Sequence, residues 1–244
     1  MRPAFIAAGC GLLLAGLTLA IANEPVIPGE IELVRLIIGL RNAPLTAVIQ
    51  ALTFITSAAP ALLVTLTLSG LEWRRAVAGH AAIRHAPAAS LGARVMGARA
   101  RVLIDSRAYW PALAYLGALA CNIALRVAVG RLPPEVDYVP HVLPELRADF
   151  QRFAFPSGHA GAAVAAYVSA AIVIAGRWPQ ARRWAWAVAG AIIAGTGLGR
   201  VYLGVHWPTD VAGGFLLAGL WLAISIHVRD NAPQRARSSR FNTT

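Results

Sequence analysis

Long apolar runs alternate with short polar stretches along the whole chain. A run of about 20 apolar residues is long enough to cross the hydrocarbon core of a bilayer as a helix. The predicted fold is therefore all-α, a polytopic six-helix transmembrane bundle that forms a single domain over residues 1–244. The approximate bounds of the six spans are 4–22, 45–70, 109–130, 157–176, 184–200 and 211–228.

The first run has two interpretations. Arg2, the apolar run and the small residues Ala20 and Ala22 also resemble a signal peptide with its cleavage site. The run is long enough to span the bilayer, which favours a retained helix. In either case the second span would begin on the outer side of the membrane.

A shorter amphipathic segment at residues 28–42 precedes the second span. Apolar and charged residues alternate there at helical spacing. The pattern is compatible with a helix in the membrane interface and equally with a helix packed on the bundle. The apolar residues are Ile31, Val34, Ile37 and Ile38, and the charged ones are Glu30, Glu32, Arg35 and Arg41.

Composition agrees with a membrane protein. Of the 244 residues, 57% are hydrophobic and 14% are charged, well below the roughly 25% charged residues of a typical soluble domain. The net charge of +11 arises from 22 basic residues, all of them arginine. A nucleic-acid binder would gather them on a soluble face, whereas here they lie between apolar runs. Cys10 and Cys121 lie inside such runs, which indicates small buried residues rather than a disulfide or a metal site.

The arginines also predict the orientation of the bundle. In a six-span arrangement 15 of the 22 arginines fall on one side, namely Arg2, the loops after spans two and four, and the C-terminal segment from Arg229 onwards, which includes the polar tail at 231–244. That side is predicted to be cytoplasmic. Seven of the 11 acidic residues fall on the opposite side. The tail is predicted to be disordered or to lie on anionic lipid.

Three polar clusters fall on the outer side of this arrangement. Residues 126–134 (RVAVGRLPP) close span three, residues 155–160 (FPSGHA) open span four, and residues 199–210 (GRVYLGVHWPTD) join spans five and six. Ionisable residues at the edge of a bilayer that face one another are candidates for a functional site.

The residue types in these clusters suit phosphoryl transfer. Two histidines can serve as nucleophile and proton donor, and a carboxylate one turn after His206 can orient that ring. Ser157 and the first amides of span four form a helix N-terminus, which favours anions. The planar guanidinium groups of arginine can donate paired hydrogen bonds to phosphate oxygens. This chemistry needs no metal or cofactor. The candidates are His206, His159 and Asp210 for catalysis, and Arg126, Arg131, Ser157, Gly158 and Arg200 for phosphate binding.

Each element also has an ordinary structural explanation. An arginine at the end of a span commonly snorkels to the interface, Pro-Ser-Gly-His can be a helix cap, and a histidine and an aspartate one turn apart commonly share a structural hydrogen bond. The coincidence of all three clusters on one side favours the functional explanation.

The clusters resemble the motifs of the type 2 phosphatidic acid phosphatase and vanadium haloperoxidase superfamily. Its pattern is K-x6-R-P, then P-S-G-H, then S-R-x5-H-x3-D. The second motif matches in full at residues 156–159, and the third matches at Arg200, His206 and Asp210. The resemblance covers residues 109–228, about half of the chain. It implies a six-helix membrane bundle with its site between helices three and six.

The resemblance also implies a role for each residue. His206 would attack phosphorus to give a phosphohistidine, and Asp210 would orient it. His159 would protonate the leaving oxygen and then activate water. Four groups would hold the phosphate oxygens: Arg126, Arg200, Ser157 and the amide of Gly158.

The sequence departs from the family pattern in its first and third motifs. Arg126 stands where the family has lysine, and Pro133 stands where it has arginine. Arg131 and Arg152 are candidates to supply the missing phosphate contact. Gly199 replaces the serine of the third motif, which we expect to matter little.

The sequence therefore predicts a membrane phosphatase that hydrolyses a lipid phosphate monoester or diphosphate through a phosphohistidine. Candidate substrates are phosphatidic acid, undecaprenyl diphosphate, phosphatidylglycerol phosphate and a lipid A phosphate. The expected location is the bacterial inner membrane, with the site on the periplasmic face under the acidic 133–155 loop. The alternatives are a phosphotransferase and a lipid-phosphate binder without turnover, whereas a haloperoxidase is disfavoured because that branch is soluble. Nucleic acid is not an expected partner.

Overall fold

The computed structural model describes residues 2–81, 108–134 and 153–231. The predictions for Arg152, for most of the 133–155 loop, for residues 82–107 and for the tail from residue 232 onwards lie outside these residues. Within the described ranges the chain forms eight main helices. They are α1 (Pro3–Asn23), α2 (Glu30–Ile38), α3 (Ala43–Ile55), α4 (Ala58–Ala81), α5 (Trp110–Val129), α6 (Gly158–Arg177), α7 (Arg182–Tyr202) and α8 (Pro208–Asn231).

Five helices are long and apolar enough to cross a bilayer: α1, α5, α6, α8, and α7 together with the 3-10 turn that precedes it. They coincide with the first, third, fourth, fifth and sixth predicted spans. A sixth span results if α2 and α3, which are bent by 116° relative to each other, are counted as one. The prediction of an all-α, polytopic membrane bundle is confirmed.

The predicted second span at 45–70 is wrong as a single helix, because the chain breaks between α3 and α4. The hydroxyl of Thr56 donates to the Leu52 carbonyl at 2.8 Å, and that of Ser57 donates to the Phe54 carbonyl at 2.8 Å. Such side-chain bonds compete with the helical backbone pattern. Pro60 then falls in the first turn of α4, where its missing N–H costs nothing.

Residues 30–38 form the predicted helix, and it packs on the bundle. Val34 of α2 is 1% exposed and packs with Val201, Trp207 and Val211 of the segment from α7 to α8. The bend after α2 is held by Arg41, whose Nε donates to the Tyr202 carbonyl at 2.8 Å. The first turn of α8 therefore has α2 beside it.

Helix α8 packs against α1, α5 and α6. Its contact with the chain just before α6 depends on two adjacent glycines. A Cβ at Gly213 would collide with the ring of Phe155, and a Cβ at Gly214 would collide with the carbonyl oxygen of Ser157. Only glycine allows so close a backbone approach. The second predicted motif therefore lies directly on the helix that begins in the third.

Candidate active site

The start of α6 is held in place by the start of α8. Ser157 is the N-cap of α6, and its hydroxyl accepts from the Ala160 amide at 3.5 Å. The Ser157 amide donates to the Asp210 carbonyl oxygen at 2.8 Å. Both residues are fully buried. The backbone thus fixes the second motif relative to the third.

Helix α5 holds the same loop from the other side. Nδ2 of Asn122 donates to the Pro156 carbonyl oxygen at 2.9 Å, and Nε of Arg126 donates to it at 3.2 Å. A Cβ built on Gly158 would lie 3.7 Å from Nη2 of Arg126. The guanidinium of Arg126 therefore lies beside the first residues of α6, as the motif spacing predicts.

Asn122 also lines the cavity, although it belongs to none of the three predicted clusters. It is buried and lies one turn before Arg126 on the same face of α5. The feature of the sequence that could have indicated Asn122 is a polar amide side chain inside an apolar span.

The third motif places an imidazole and a carboxylate at the beginning of α8. Gly204, with φ of 67°, follows the end of α7. The Asp210 carboxylate reaches back, so that its Oδ2 accepts from the Trp207 amide at 2.8 Å. This is the geometry in which an acidic residue in the first turn caps its own helix. The same Oδ2 lies 3.5 Å from Nδ1 of His206, which leaves Nε2 on the far side of the ring.

A cavity of about 450 Å³ brings the predicted polar residues together. His159, His206, Arg126, Arg200 and Gly158 line it. Asp210 and Ser157 lie behind this lining rather than on it. The arrangement offers two imidazoles and two guanidiniums to one bound anion.

The other walls of the cavity are mostly apolar and come from α5, α8 and the break between α3 and α4. Leu119 and Ile123 of α5, Leu217 of α8, and Thr56 and Ala58 line it. The α3–α4 break was missed because no chemical motif marks it.

Arg131 is not brought to the cavity, contrary to the predicted phosphate contact. Its side chain is 1% exposed and lies behind Asp210. Nη1 donates to Oδ1 of Asp210 at 2.6 Å, and Nη2 donates to Oε2 of Glu30 at 2.5 Å. The guanidinium is thus directed at two carboxylates, away from the lining.

The departures from the family pattern at positions 133 and 199 have visible consequences. Pro133, where the family has arginine, does line the cavity. Gly199, where the family has serine, faces α3: a Cβ there would lie 2.8 Å from Cγ2 of Ile49. The glycine allows α3 to pack closely on α7.

The donor set of the site is suited to an anion. Among the residues that the structure describes, no three His, Cys, Asp or Glu side chains are grouped in metal-binding geometry. The polar side chains that line the cavity include two arginines and two histidines, beside Asn122, Thr56 and Tyr115.

Known proteins resemble the chain in both sequence and fold. Residues 107–234, more than half of the chain, match the PAP2 superfamily. Phosphatidylglycerophosphatase B of Bacillus subtilis (strain 168) is 39% identical over 88 residues, which are 35% of this chain and 43% of that protein. The matched segment thus spans less than half the length of this relative.

A solved structure has a similar fold. It is the crystal structure of a transmembrane PAP2 type phosphatidylglycerolphosphate phosphatase from Bacillus subtilis, and the TM-score is 0.69. The match covers 94% of this chain and 98% of that chain at 21% identity. This likeness concerns the fold.

Proposed function

The chain belongs to the PAP2 superfamily, and we propose that it is a membrane phosphatase that hydrolyses a lipid phosphate monoester or diphosphate. The observation that supports this most is the lining of a single cavity by His206, His159, Arg126 and Arg200. These groups match the needs of phosphoryl transfer, which are a nucleophile, a proton donor and fixed positive charge.

Two histidines divide the proposed chemistry. Nε2 of His206 forms a bond to phosphorus while the bond from phosphorus to the leaving oxygen breaks, and His159 gives its proton to that oxygen. In the second step His159 takes a proton from water, whose oxygen attacks phosphorus. The phosphorus–nitrogen bond breaks, which frees phosphate and regenerates His206. Asp210, 3.5 Å from Nδ1, stabilises the positive charge that develops on the ring.

The remaining polar groups would hold the phosphate. Arg126 and Arg200 present charged donors to its non-bridging oxygens, and the amides at the start of α6 add donors from the backbone. Because hydrogen bonds to Pro156 and Ser157 hold this loop on both sides, the donors are in place before the substrate binds. Such preorganisation is the main source of charge stabilisation in a transition state.

The apolar walls support a lipid as the substrate. Leu119, Ile123 and Leu217 line the same cavity as the two histidines, and Ile123 is 39% exposed on α5. An exposed lining residue on a membrane-spanning helix favours an opening toward lipid, so that the hydrocarbon chain lies beside α5 while the phosphate meets His206. Phosphatidylglycerol phosphate is the first candidate because of the Bacillus relative. Phosphatidic acid and undecaprenyl diphosphate follow.

The distribution of arginines supports a site on the periplasmic side of a bacterial inner membrane. The proposed reaction would then act on headgroups in the outer leaflet. A membrane-impermeant thiol reagent applied to whole cells can test this with a single cysteine introduced at exposed Leu132, beside the cavity, in a cysteine-free background. Labelling from outside is expected, and labelling only after lysis would refute the orientation.

The activity itself is tested with purified protein and a panel of these lipids. We expect phosphate release from at least one, abolished by His206→Ala. His227→Ala is the matched control, because His227 is exposed on α8, away from the cavity. Release from no lipid, with His206→Ala indistinguishable from wild type, would contradict the proposal.

A binder without turnover is the alternative that one observation favours. Pro133 lines the cavity where the family has arginine, so one cationic contact is absent from that position. Substrate binding without an acid-labile phosphohistidine would favour a binder. Repeated turnover by wild type would exclude it.

A further inference from the structure

We infer that Glu30 and Arg131 are positioning residues for the reaction, since they fix the Asp210 carboxylate behind His206 and preserve its negative charge. This inference rests on the proposed function. Glu30 lies on α2, outside every motif of the family pattern. Neither residue lines the cavity, so both would act through Asp210.

The Asp210 carboxylate has a separate anchor on each oxygen. Oδ1 accepts from Nη1 of Arg131 at 2.6 Å, and Oδ2 accepts from the Trp207 amide at 2.8 Å. With both oxygens fixed, the carboxylate plane cannot rotate. Oδ2 therefore stays 3.5 Å from Nδ1 of His206, on the side of the ring away from Nε2.

Arg131 is itself fixed on several sides. Nε donates to the Pro25 carbonyl oxygen at 2.7 Å, and Nη1 also donates to the Thr209 hydroxyl at 2.7 Å. The Trp207 ring centroid lies 5.5 Å from the guanidinium carbon. An arginine held in this way presents a rigid donor to Asp210, which a mobile side chain would not.

Glu30 balances the charge of the arginine. The two oxygens of its carboxylate meet Arg131 and Thr209, with Nη2 at 2.5 Å and the Thr209 amide at 3.1 Å. One cation thus lies between two carboxylates, all of them nearly buried. Without Glu30, Arg131 would neutralise Asp210 just where His206 needs a negative charge. With Glu30, the group as a whole retains one negative charge to stabilise a phosphorylated imidazole.

Glu30 also joins α2 to the first turn of α8. Its side chain accepts from the Thr209 amide and hydroxyl and from the Ile27 amide. Thr209 immediately precedes Asp210, so a shift of α2 would displace the carboxylate. Helix α2 therefore supports the catalytic geometry from outside the motifs.

The test compares Glu30→Gln, Glu30→Asp and Glu32→Gln in the purified full-length protein, using the lipid that wild type hydrolyses best. Glu32 is exposed on the same helix and is the matched control. Groups that orient metal-binding side chains from behind change activity by about 10- to 100-fold, and we expect the same range for a group that orients Asp210. We expect Glu30→Gln to lower kcat by that factor with KM within about twofold, because the cavity lining is untouched.

The two Glu30 variants separate charge from shape. Glutamine keeps the size of glutamate without its charge, and aspartate keeps the charge at a shorter reach. We expect Glu30→Asp to retain more kcat than Glu30→Gln because it keeps the charge, and less than wild type because its shorter side chain cannot meet both Arg131 and Thr209. The reverse order, or a higher KM at unchanged kcat, would overturn the inference.

Folding and function are checked separately. Size-exclusion chromatography and thermal unfolding in detergent identify folded variants. If Glu30→Gln does not fold, Glu30→Asp decides: a lower kcat at unchanged KM supports the inference, and a wild-type kcat overturns it. If wild type and His206→Ala are equally inactive, the proposed function has failed. If activity depends on His206 but not on Glu30, only the positioning role has failed.

Discussion

The contact between α8 and the Pro156–His159 loop can be probed by adding one methyl group at Gly214. A Cβ there would collide with the Ser157 carbonyl oxygen and lie 3.1 Å from the Ala160 Cβ. The carbonyl cannot yield alone, because the Ser157 amide is bonded to the Asp210 carbonyl. Gly214→Ala must therefore push the loop and α8 apart.

The cost can be estimated against a glycine with open space. A Cβ at Gly190 of α7 would meet no heavy atom within 4 Å, so Gly190→Ala measures the helix-propensity gain of about 1 kcal/mol that both variants share. Overpacking costs about 1–3 kcal/mol. At about 2–4 °C per kcal/mol for a chain of this size, the Tm of Gly214→Ala should lie about 2–12 °C below that of Gly190→Ala.

Thermal unfolding of the detergent-solubilised protein measures this gap, and phosphate release measures its effect on the site. The loop carries His159, so the activity of Gly214→Ala should fall even at temperatures where it is folded. A Tm equal to that of Gly190→Ala, together with wild-type activity, would refute the close packing of the two motifs.

Three further substitutions address the site itself. Asp210→Asn should lower kcat by up to about 10⁴-fold, as loss of the orienting carboxylate does in a serine protease triad; phosphate release measures it, and a loss below tenfold would contradict the role of Asp210. Arg200→Lys keeps the charge but loses the planar pair of guanidinium donors, so kcat/KM should fall by about tenfold or more; unchanged kinetics would contradict the proposed contact between Arg200 and phosphate. Pro133→Arg should tighten inhibition by orthovanadate by about 10- to 100-fold, the value of one charge-assisted hydrogen bond; no change would mean that position 133 does not reach the anion.

Five of the six spans were predictable because length and apolarity alone define a membrane helix. The second was not, since the helix is interrupted between Ile55 and Ala58 although the apolar run in the sequence continues across the break. The backbone leaves the helical path at Thr56, where φ is −101° and ψ is 5°, and the Thr56 and Ser57 hydroxyls bond there to the Leu52 and Phe54 carbonyls. Hydropathy is insensitive to such local competition.

Within the site, the contacts that could be predicted from the sequence are those between residues close together in the chain. His206 and Asp210 lie four residues apart, and the spacing brings their side chains together at the start of α8. Glu30 meets Thr209 although 179 residues separate them. The spacing of apolar and polar residues in the sequence cannot predict this contact, because the contact depends on how α2 folds back over α8.

The way in which α5 ends explains why the side chains of Arg131 and Pro133 lie in different places. Gly130, with φ of 65°, ends the helix, so the face of α5 that presents Arg126 to the cavity cannot be extended to later residues. The chain turns, and the Arg131 carbonyl accepts from the Ala154 amide at 2.7 Å. That turn directs the Arg131 side chain toward Glu30 and Asp210 and leaves Pro133 at the cavity. Two residues of spacing thus separate position 133, which lines the cavity, from Arg131, which donates to the carboxylate behind His206, and a motif written in residue counts cannot distinguish them.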